Sequence, residues 1–217
     1  MDLDRFREAV TSSRGARGSE AGETVVIFTG SFKSWHGVKD LLRAFALLLD
    51  HQKRTRLILI GDGPERESLM RIAAELRIES NITFTGAVSH EEVPALLASA
   101  DIAVAPYPPL NDFYFSPLKL GEYLAAGLPV VATACGDLDP LLRDGVSSLR
   151  VPPGDVPALA RALRRLTGDP ELRQRLGRAG RRVAEDHLSL EAATAKLVRL
   201  LESLGQAGSA DRKSAAS

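Results

Sequence analysis

The stretch from Phe113 to Thr133 reads FYFSPLKLGEYLAAGLPVVAT and carries the signals of a helix, a turn and a strand, in that order. Ser116 is a favourable N-cap residue, and Pro117 suits the first helical position, where its missing N–H is not needed. Gly127 is suited to end the helix, because glycine readily adopts the left-handed conformation found there. The apolar residues 130–133 follow a proline that cannot continue a helix, so they predict a buried strand.

The start of this helix also predicts a binding site for an anion. Unpaired backbone amides at a helix N-terminus attract phosphate, and Lys119 on the first turn adds a full positive charge. Glu122 follows three residues later and lies near the same face, where it is placed to accept hydrogen bonds from the vicinal hydroxyls of a sugar. The alternative is an exposed Lys119–Glu122 pair that stabilises the helix by about 0.2 to 0.5 kcal/mol. These residues alone leave both interpretations open.

The composition favours one large domain. The chain has 217 residues, and its 28 basic residues balance its 28 acidic ones. A net charge of zero provides no basic excess for a polyanion, which argues against DNA or RNA as partners. A single cysteine, Cys135, excludes an intramolecular disulfide, and no apolar run reaches the length of about 18 residues that predicts a transmembrane segment. The first residues lack the apolar core of a signal peptide, so we expect a soluble, cytoplasmic protein.

The unit of strand and helix recurs along the chain. Short apolar runs that predict buried strands lie at residues 24–29, 56–60, 82–86, 101–106, 130–133 and 149–151. Helical patterns lie between or after them, at residues 38–49, 65–76, 91–99, 138–143, 156–166, 171–185 and 190–204. This alternation predicts an α/β fold, a single Rossmann-like, doubly wound parallel sheet of about six strands with C-terminal helices. Such sheets bind ligands beyond the carboxyl ends of their strands.

Polar segments flank this pattern. Residues 1–22 predict a linker or disordered lead that contributes little to the core, and residues 205–217 predict a disordered tail. Between them, residues 23–187 form the predicted Rossmann-like domain and residues 188–204 the predicted C-terminal helix. Arginines are frequent in the C-terminal helices, but interspersed acids and an apolar face favour a solvated outer surface.

Several segments match one protein family in order and spacing. They are GSFKSWHGV at 30–38, LILIGDGP at 57–64, ITFTGAV at 82–88, DIAVAPY at 101–107, SPLKLGEYLAAGLPVVAT at 116–133 and RDGV at 143–146. Over about Thr24 to Leu204, the chain resembles the C-terminal domain of the retaining, GT-B-fold glycosyltransferases of family 4. The resemblance implies half of a GT-B architecture, with a site for a nucleotide-sugar donor.

The resemblance assigns a role to Glu122. This residue matches the second glutamate of the family's motif of two glutamates separated by seven residues, which implies that it binds the ribose hydroxyls of the donor. The first glutamate of the motif falls at Tyr114, so the chain departs from the family at the residue that usually contacts the transferred sugar. Recognition of that sugar then falls to backbone amides of residues 116–119 or to Asp112, and the identity of the sugar stays open.

The first loop departs from the family as well. The arginine and lysine that usually bind the diphosphate fall at Ser31 and His36. The cations that the resemblance leaves for the diphosphate are Lys33, His36 and Lys119. The further donor-binding positions that it implies are Gly30, Ser31, Gly37, Ser116, Pro117 and Leu118.

The nucleobase is expected near Gly61 and Val88, on the loops after the second and third strands, mainly against backbone groups. The resemblance implies neither a metal nor another cofactor. In the complete enzyme it implies transfer of a sugar, with retention, from a nucleoside-diphosphate sugar to an acceptor hydroxyl. The nucleobase (UDP, GDP or ADP) and the acceptor stay open.

A GT-B enzyme has two facing domains, and this chain resembles only the second. We therefore expect a missing N-terminal domain, in cis or in trans, and an isolated domain that binds nucleoside diphosphate weakly and shows no transfer. The helix at 190–204 would lack part of its partner surface, which predicts exposed apolar residues and a homodimer formed through them. Two alternatives are half of a sugar-nucleotide epimerase and a non-catalytic nucleotide-binding or assembly module.

Overall fold

The computed structural model describes residues 3–12, 22–109, 118–133, 141–192 and 194–199. The strands are β1 Thr24–Thr29, β2 Thr55–Ile60, β3 Ile82–Gly86, β4 Ile102–Ala105, β5 Val130–Thr133 and β6 Ser148–Val151. The longer helices are α1 Asp4–Ser12, α2 Val38–Leu49, α3 Arg66–Glu75, α4 Val93–Ala98, α5 Leu118–Ala125, α6 Val156–Gly168 and α7 Pro170–His187. All six predicted strands are confirmed.

The six strands form one parallel sheet in the order β3-β2-β1-β4-β5-β6. The order reverses between β1 and β4, which pair at Val26 with Ile102 and at Ile27 with Ala103. The predicted doubly wound, Rossmann-like fold is therefore confirmed. The reversal opens a crevice at the carboxyl ends of these two strands, the place where such sheets bind ligands.

Both faces of the sheet are covered, which explains why its strands are continuous apolar runs. Neighbouring side chains of a strand point to opposite faces, so Ile27 and Phe28 belong to different clusters of the core. Phe28 belongs to the cluster that includes Leu41 and Phe45 of α2 and residues of α6. Ile27 packs in the cluster that includes Tyr123 and other residues of α5. The sheet is thus held between two layers of helices, and α5 is fixed against one of its faces.

The first helix corrects one expectation. Residues 1–22 were expected to be a linker or disordered lead, but α1 is a regular helix, and its Phe6 is only 3% exposed within the core cluster of α5. Arg7 adds an ion pair to Glu185 of α7 at 2.9 Å. The prediction was wrong for this part because the many polar residues of the segment were given more weight than the helical spacing of Leu3, Phe6 and Val10, of which Leu3 and Phe6 are buried in the fold.

Other differences are confined to the ends of elements. Residues 141–143, the end of a predicted helix, form a turn and irregular structure, and the start of that helix lies outside the described residues. The C-terminal helix is confirmed over 190–192 and 194–199, and Leu190, Leu197 and Val198 on it are exposed, as predicted. The tail at 205–217 lies outside the described part of the chain. None of the described helices is both long enough and apolar enough to cross a membrane.

Candidate functional site

Backbone hydrogen bonds hold the loop after β1 against the loop after β2. The Gly30 N–H donates to the Ile60 carbonyl oxygen at 2.9 Å, and the Phe32 N–H donates to the Asp62 carbonyl oxygen at 2.8 Å. The Glu65 N–H, just before α3, donates to the Phe32 carbonyl oxygen at 3.0 Å. These bonds satisfy backbone groups that no strand pairs, so the first loop has a fixed shape at the carboxyl edge of the sheet.

Close approaches at two glycines draw the loops of this edge together. Gly37 begins α2 with a φ of 68°, and a Cβ placed on it would lie 1.6 Å from the carbonyl oxygen of Pro106, in the segment after β4. A Cβ on Gly61, after β2, would lie 2.1 Å from the carbonyl oxygen of Gly30. Only glycine fits at these positions. The predicted sites Gly30, Gly37 and Gly61 are therefore brought together by the fold.

Lys119 lies under the first loop rather than on the surface. The residue is 9% exposed, and its Nζ lies 4.3 Å from the centre of the Phe28 ring and 5.4 Å from that of Tyr107. A Cβ on Gly30 would be only 2.7 Å from this Nζ. Among the described residues, Nζ has no hydrogen-bond partner and forms no ion pair with Glu122. The alternative of an exposed Lys119–Glu122 pair is therefore wrong.

Burial changes the protonation of this lysine. Removal from water disfavours its ammonium form and lowers the pKa of Lys119 from 10.5 to about 7, while the negative charge of Glu122 opposes the shift. The aromatic rings of Phe28 and Tyr107 offer a cation only a weak replacement for its hydration. An incoming anion therefore finds a buried amine that has no strong partner among the described residues.

Glu122 lies one turn beyond Lys119, towards the loop after β3. Its side chain is 15% exposed, and its Oε1 lies 3.9 Å from Nδ1 of His90, which is 70% exposed on that loop. Burial raises the pKa of Glu122, and the positive charges of His90 and Lys119 oppose this rise. The carboxylate is thus partly enclosed but reachable from the edge at which Val88 lies half-buried.

The two first-loop cations have different surroundings. The Nδ1 of His36 donates to the Ser31 carbonyl oxygen, which fixes the imidazole across the loop. Burial, followed by the nearby charge of Lys119, lowers the pKa of His36. Lys33 places its Nζ 4.9 Å from the ring centre of Trp35. His36 therefore lies within electrostatic reach of both Lys119 and Lys33, and Lys33 also lies beside an exposed ring.

Tyr123 is a residue that the sequence analysis missed. Its buried hydroxyl accepts a hydrogen bond from the Thr29 N–H at 2.8 Å and lies 3.4 Å from the Val104 carbonyl oxygen, to which it donates. One side chain thus ties α5 to the ends of β1 and β4. This contact sets the positions of Lys119 and Glu122, its neighbours on the helix. A tyrosine among the apolar residues of the helix was the available signal.

Other predicted site residues are less informative. Leu118 is the first residue of α5 and is 80% exposed. Ser116, Pro117, Tyr114 and Asp112 lie outside the described residues, so their predicted roles stay predictions.

The larger cavities among the described residues lie at the opposite, amino edge of the sheet. One of about 440 Å³ is lined by Arg173, Arg178 and Arg181 of α7, and one of about 550 Å³ lies between α2 and α3. Neither contains a predicted site residue. Arg173 donates hydrogen bonds to the carbonyl oxygens of Leu166 and Thr167, at 2.6 and 3.1 Å. We place the candidate site at the carboxyl edge, because the buried amine and the fixed loop are there.

Comparison with known proteins identifies the family. The chain is 33% identical over 196 residues to the D-inositol 3-phosphate glycosyltransferase of Streptomyces avermitilis, an alignment that covers 85% of this chain and 41% of that protein. The chain spans about half the length of the curated relatives it matches.

Two solved structures share the fold. The structure of Anabaena Alr3699/HepE in complex with UDP and glucose superimposes with a TM-score of 0.78 at 20% identity, over 94% of this chain and 55% of that one. The C-terminal domain of the group 1 glycosyl transferase LpcC from Francisella tularensis superimposes with a TM-score of 0.71 at 19% identity, over 88% of this chain and 99% of that one.

The sequence profile described as "Glycosyl transferases group 1" matches residues 23–169, well over half of the chain. The fold, the match to a C-terminal domain and this profile agree with the motifs quoted from the sequence. The chain belongs to the group 1 glycosyltransferases.

Proposed function

We propose that this chain is the donor-binding domain of a retaining glycosyltransferase of family 4, which transfers a sugar from a nucleoside-diphosphate sugar to an acceptor hydroxyl. One observation carries the proposal. The fold places Lys119, an amine without a hydrogen-bond partner among the described residues, beside the fixed first loop at the reversal point of the sheet, one turn before the carboxylate of Glu122. At such a crevice a cation suits the negatively charged diphosphate of a nucleotide. A neighbouring carboxylate suits the ribose, whose hydroxyls donate hydrogen bonds to it.

Each part of the donor has a counterpart among the described residues. The diphosphate lies between the first loop and α5, where Lys119, His36 and Lys33 stabilise the charge that develops on it as the sugar departs. The ribose hydroxyls donate to Glu122. The base meets the loops that carry Gly61 and Val88. HepE, which has the same fold, was solved with UDP and glucose bound, and this supports a nucleotide at such a sheet.

The acceptor belongs to another domain. The chain spans about half the length of its curated relatives, so we propose that a facing N-terminal domain, in cis or in trans, supplies the acceptor site. The exposed Leu190, Leu197 and Val198 of the C-terminal helix are a suitable contact for that domain or for a second copy of the chain. The chain alone then binds nucleotide without transfer, and no metal takes part.

Calorimetric titration with UDP, GDP and ADP tests the proposed site. We expect at least one of them to bind, and Glu122→Ala to weaken that binding about tenfold or more, since hydrogen bonds to a charged group contribute about 1.5 to 3 kcal/mol. Glu75→Ala, at an exposed position at the far end of α3, is the matched control and should leave the affinity unchanged.

A 2′-deoxy analogue of the nucleotide that binds shows whether the carboxylate contacts the ribose. Removing the 2′-hydroxyl should weaken binding to the wild-type chain but have little further effect in Glu122→Ala. Failure of all three nucleotides to bind would contradict the proposed function and favour an assembly module. Interconversion of a sugar nucleotide without any acceptor would favour the epimerase alternative instead.

A further inference from the structure

The side chain of Lys119 is enclosed, and the proposed function alone does not explain how its charge is tolerated there. Its Nζ is sealed between the rings of Phe28 and Tyr107 and the backbone of Gly30, and it has no hydrogen-bond partner among the residues that the structure describes. An ammonium group needs up to three acceptors, and a buried ammonium without them is costly. The ammonium form of Lys119 is therefore unfavourable until a ligand supplies hydrogen-bond acceptors.

The charged groups around Lys119 do not supply that acceptor. Glu122 on the same helix forms no ion pair with Lys119, and burial raises the pKa of Glu122 itself. His36, which lies within electrostatic reach of Lys119, and Lys33 on the same loop supply no negative charge. A diphosphate brings two negative charges and several acceptor oxygens, and therefore favours the ammonium form of Lys119 over the neutral amine.

We propose that binding of the donor is coupled to uptake of up to one proton by Lys119, a buried amine with no hydrogen-bond partner among the described residues, which becomes an ammonium when the diphosphate enters. The inference rests on the proposed function. The proton comes from the solvent as the anion binds, and returns to it when the nucleoside diphosphate leaves. Lys119 thus makes the affinity for the donor depend on pH, a property that a permanently charged arginine would not have.

The expected proton numbers follow from the pKa of Lys119. With a pKa of about 7 in the unliganded domain, Lys119 takes up about 0.5 proton at pH 7 and about 0.9 at pH 8 when the donor binds, and only about 0.1 at pH 6. Since the slope of log affinity against pH equals the proton number, the affinity should fall nearly tenfold between pH 8 and pH 9.

Calorimetry in buffers of different ionisation enthalpy measures this uptake directly. The ligands are UDP-glucose, GDP-mannose and ADP-glucose, because a diphosphate that is esterified at both ends does not itself titrate near neutral pH. Lys119→Arg keeps a permanent charge and should bind with no pH-dependent uptake at this position. His36→Gln should still take up the proton, which separates the two titratable groups of the site.

The outcomes distinguish the inference from the function on which it rests. Binding with proton uptake that is lost in Lys119→Arg but kept in His36→Gln is the expected result. Binding without proton exchange, or uptake that is lost only in His36→Gln, would overturn the inference and leave the donor site intact. Failure of every sugar nucleotide to bind the wild-type chain would overturn both. If Lys119→Arg does not fold, Lys119→Met replaces it, with weaker binding that no longer depends on pH between 7 and 9.

Discussion

Gly37→Ala should lower the free energy of unfolding by about 3 kcal/mol or more, or prevent folding altogether. The new Cβ would lie 1.6 Å from the Pro106 carbonyl oxygen, well inside contact distance, and Gly37 also has a φ of 68°. A non-glycine residue in this conformation costs about 1 to 2 kcal/mol, and overpacking adds about 1 to 3 kcal/mol. Because the contact joins the loop after β1 to the segment after β4, its loss should also open the candidate site. Urea denaturation measures the change.

Gly145→Ala is the matched control for this prediction. Gly145 has the same φ of 68°, but a Cβ placed on it meets nothing within 4 Å. Gly145→Ala should therefore lower the free energy of unfolding only by the conformational cost, about 1 to 2 kcal/mol. Equal losses in the two variants would show that the approach of Gly37 to Pro106 does not constrain the fold.

Lys119→Met should remove a pH dependence from the stability of the domain. The pKa of Lys119 is about 7 in the folded chain and 10.5 in the unfolded chain, so the unfolded state binds more protons between these values. The free energy of unfolding of the wild-type chain therefore rises with pH across this window, whereas the methionine variant lacks the rise. Between pH 7 and pH 9.5 the wild-type chain should gain about 3 kcal/mol relative to Lys119→Met.

Denaturation of both chains at several pH values measures this difference. At pH 7 the methionine variant should be the more stable of the two, because it buries no unpaired amine. Lys53→Met, at an exposed lysine near the amino end of β2, is the control and should follow the wild-type curve. Curves for Lys119→Met and wild type that stay parallel from pH 7 to pH 9.5 would show that the amine is hydrated in the folded domain.

The strands and their order along the chain could be predicted because a parallel sheet covered on both faces demands continuous apolar residues. The reversal of strand order, and with it the edge where ligands bind, followed from the alternation of strands and helices. The helix signals of residues 116–127 placed Lys119 and Glu122 on one helix, and the family resemblance then assigned Glu122 to the ribose. These inferences needed only local patterns and the spacing between them.

The environment of each side chain could not be predicted in this way. Whether Lys119 is exposed depends on Phe28 and Tyr107, which lie far from it in sequence and reach it only through the fold. The hydrogen bonds of Tyr123 to Thr29 depend on the same docking of α5. Helix α1 was missed because its segment is mostly polar, and the burial of Leu3 and Phe6 that stabilises it arises only from tertiary contacts.

The location of the nucleotide is the central claim, and an amide NMR titration of the isotope-labelled chain with the nucleoside diphosphates tests it most directly. We predict that the largest shifts occur at the carboxyl edge of the sheet, at the amides of Gly30, Gly37, Gly61, Val88 and Glu122. The amides of Asp101 and Gly177, which line the arginine-rich cavity at the amino edge, should not shift. Shifts confined to that cavity, with none at the carboxyl edge, would contradict the account.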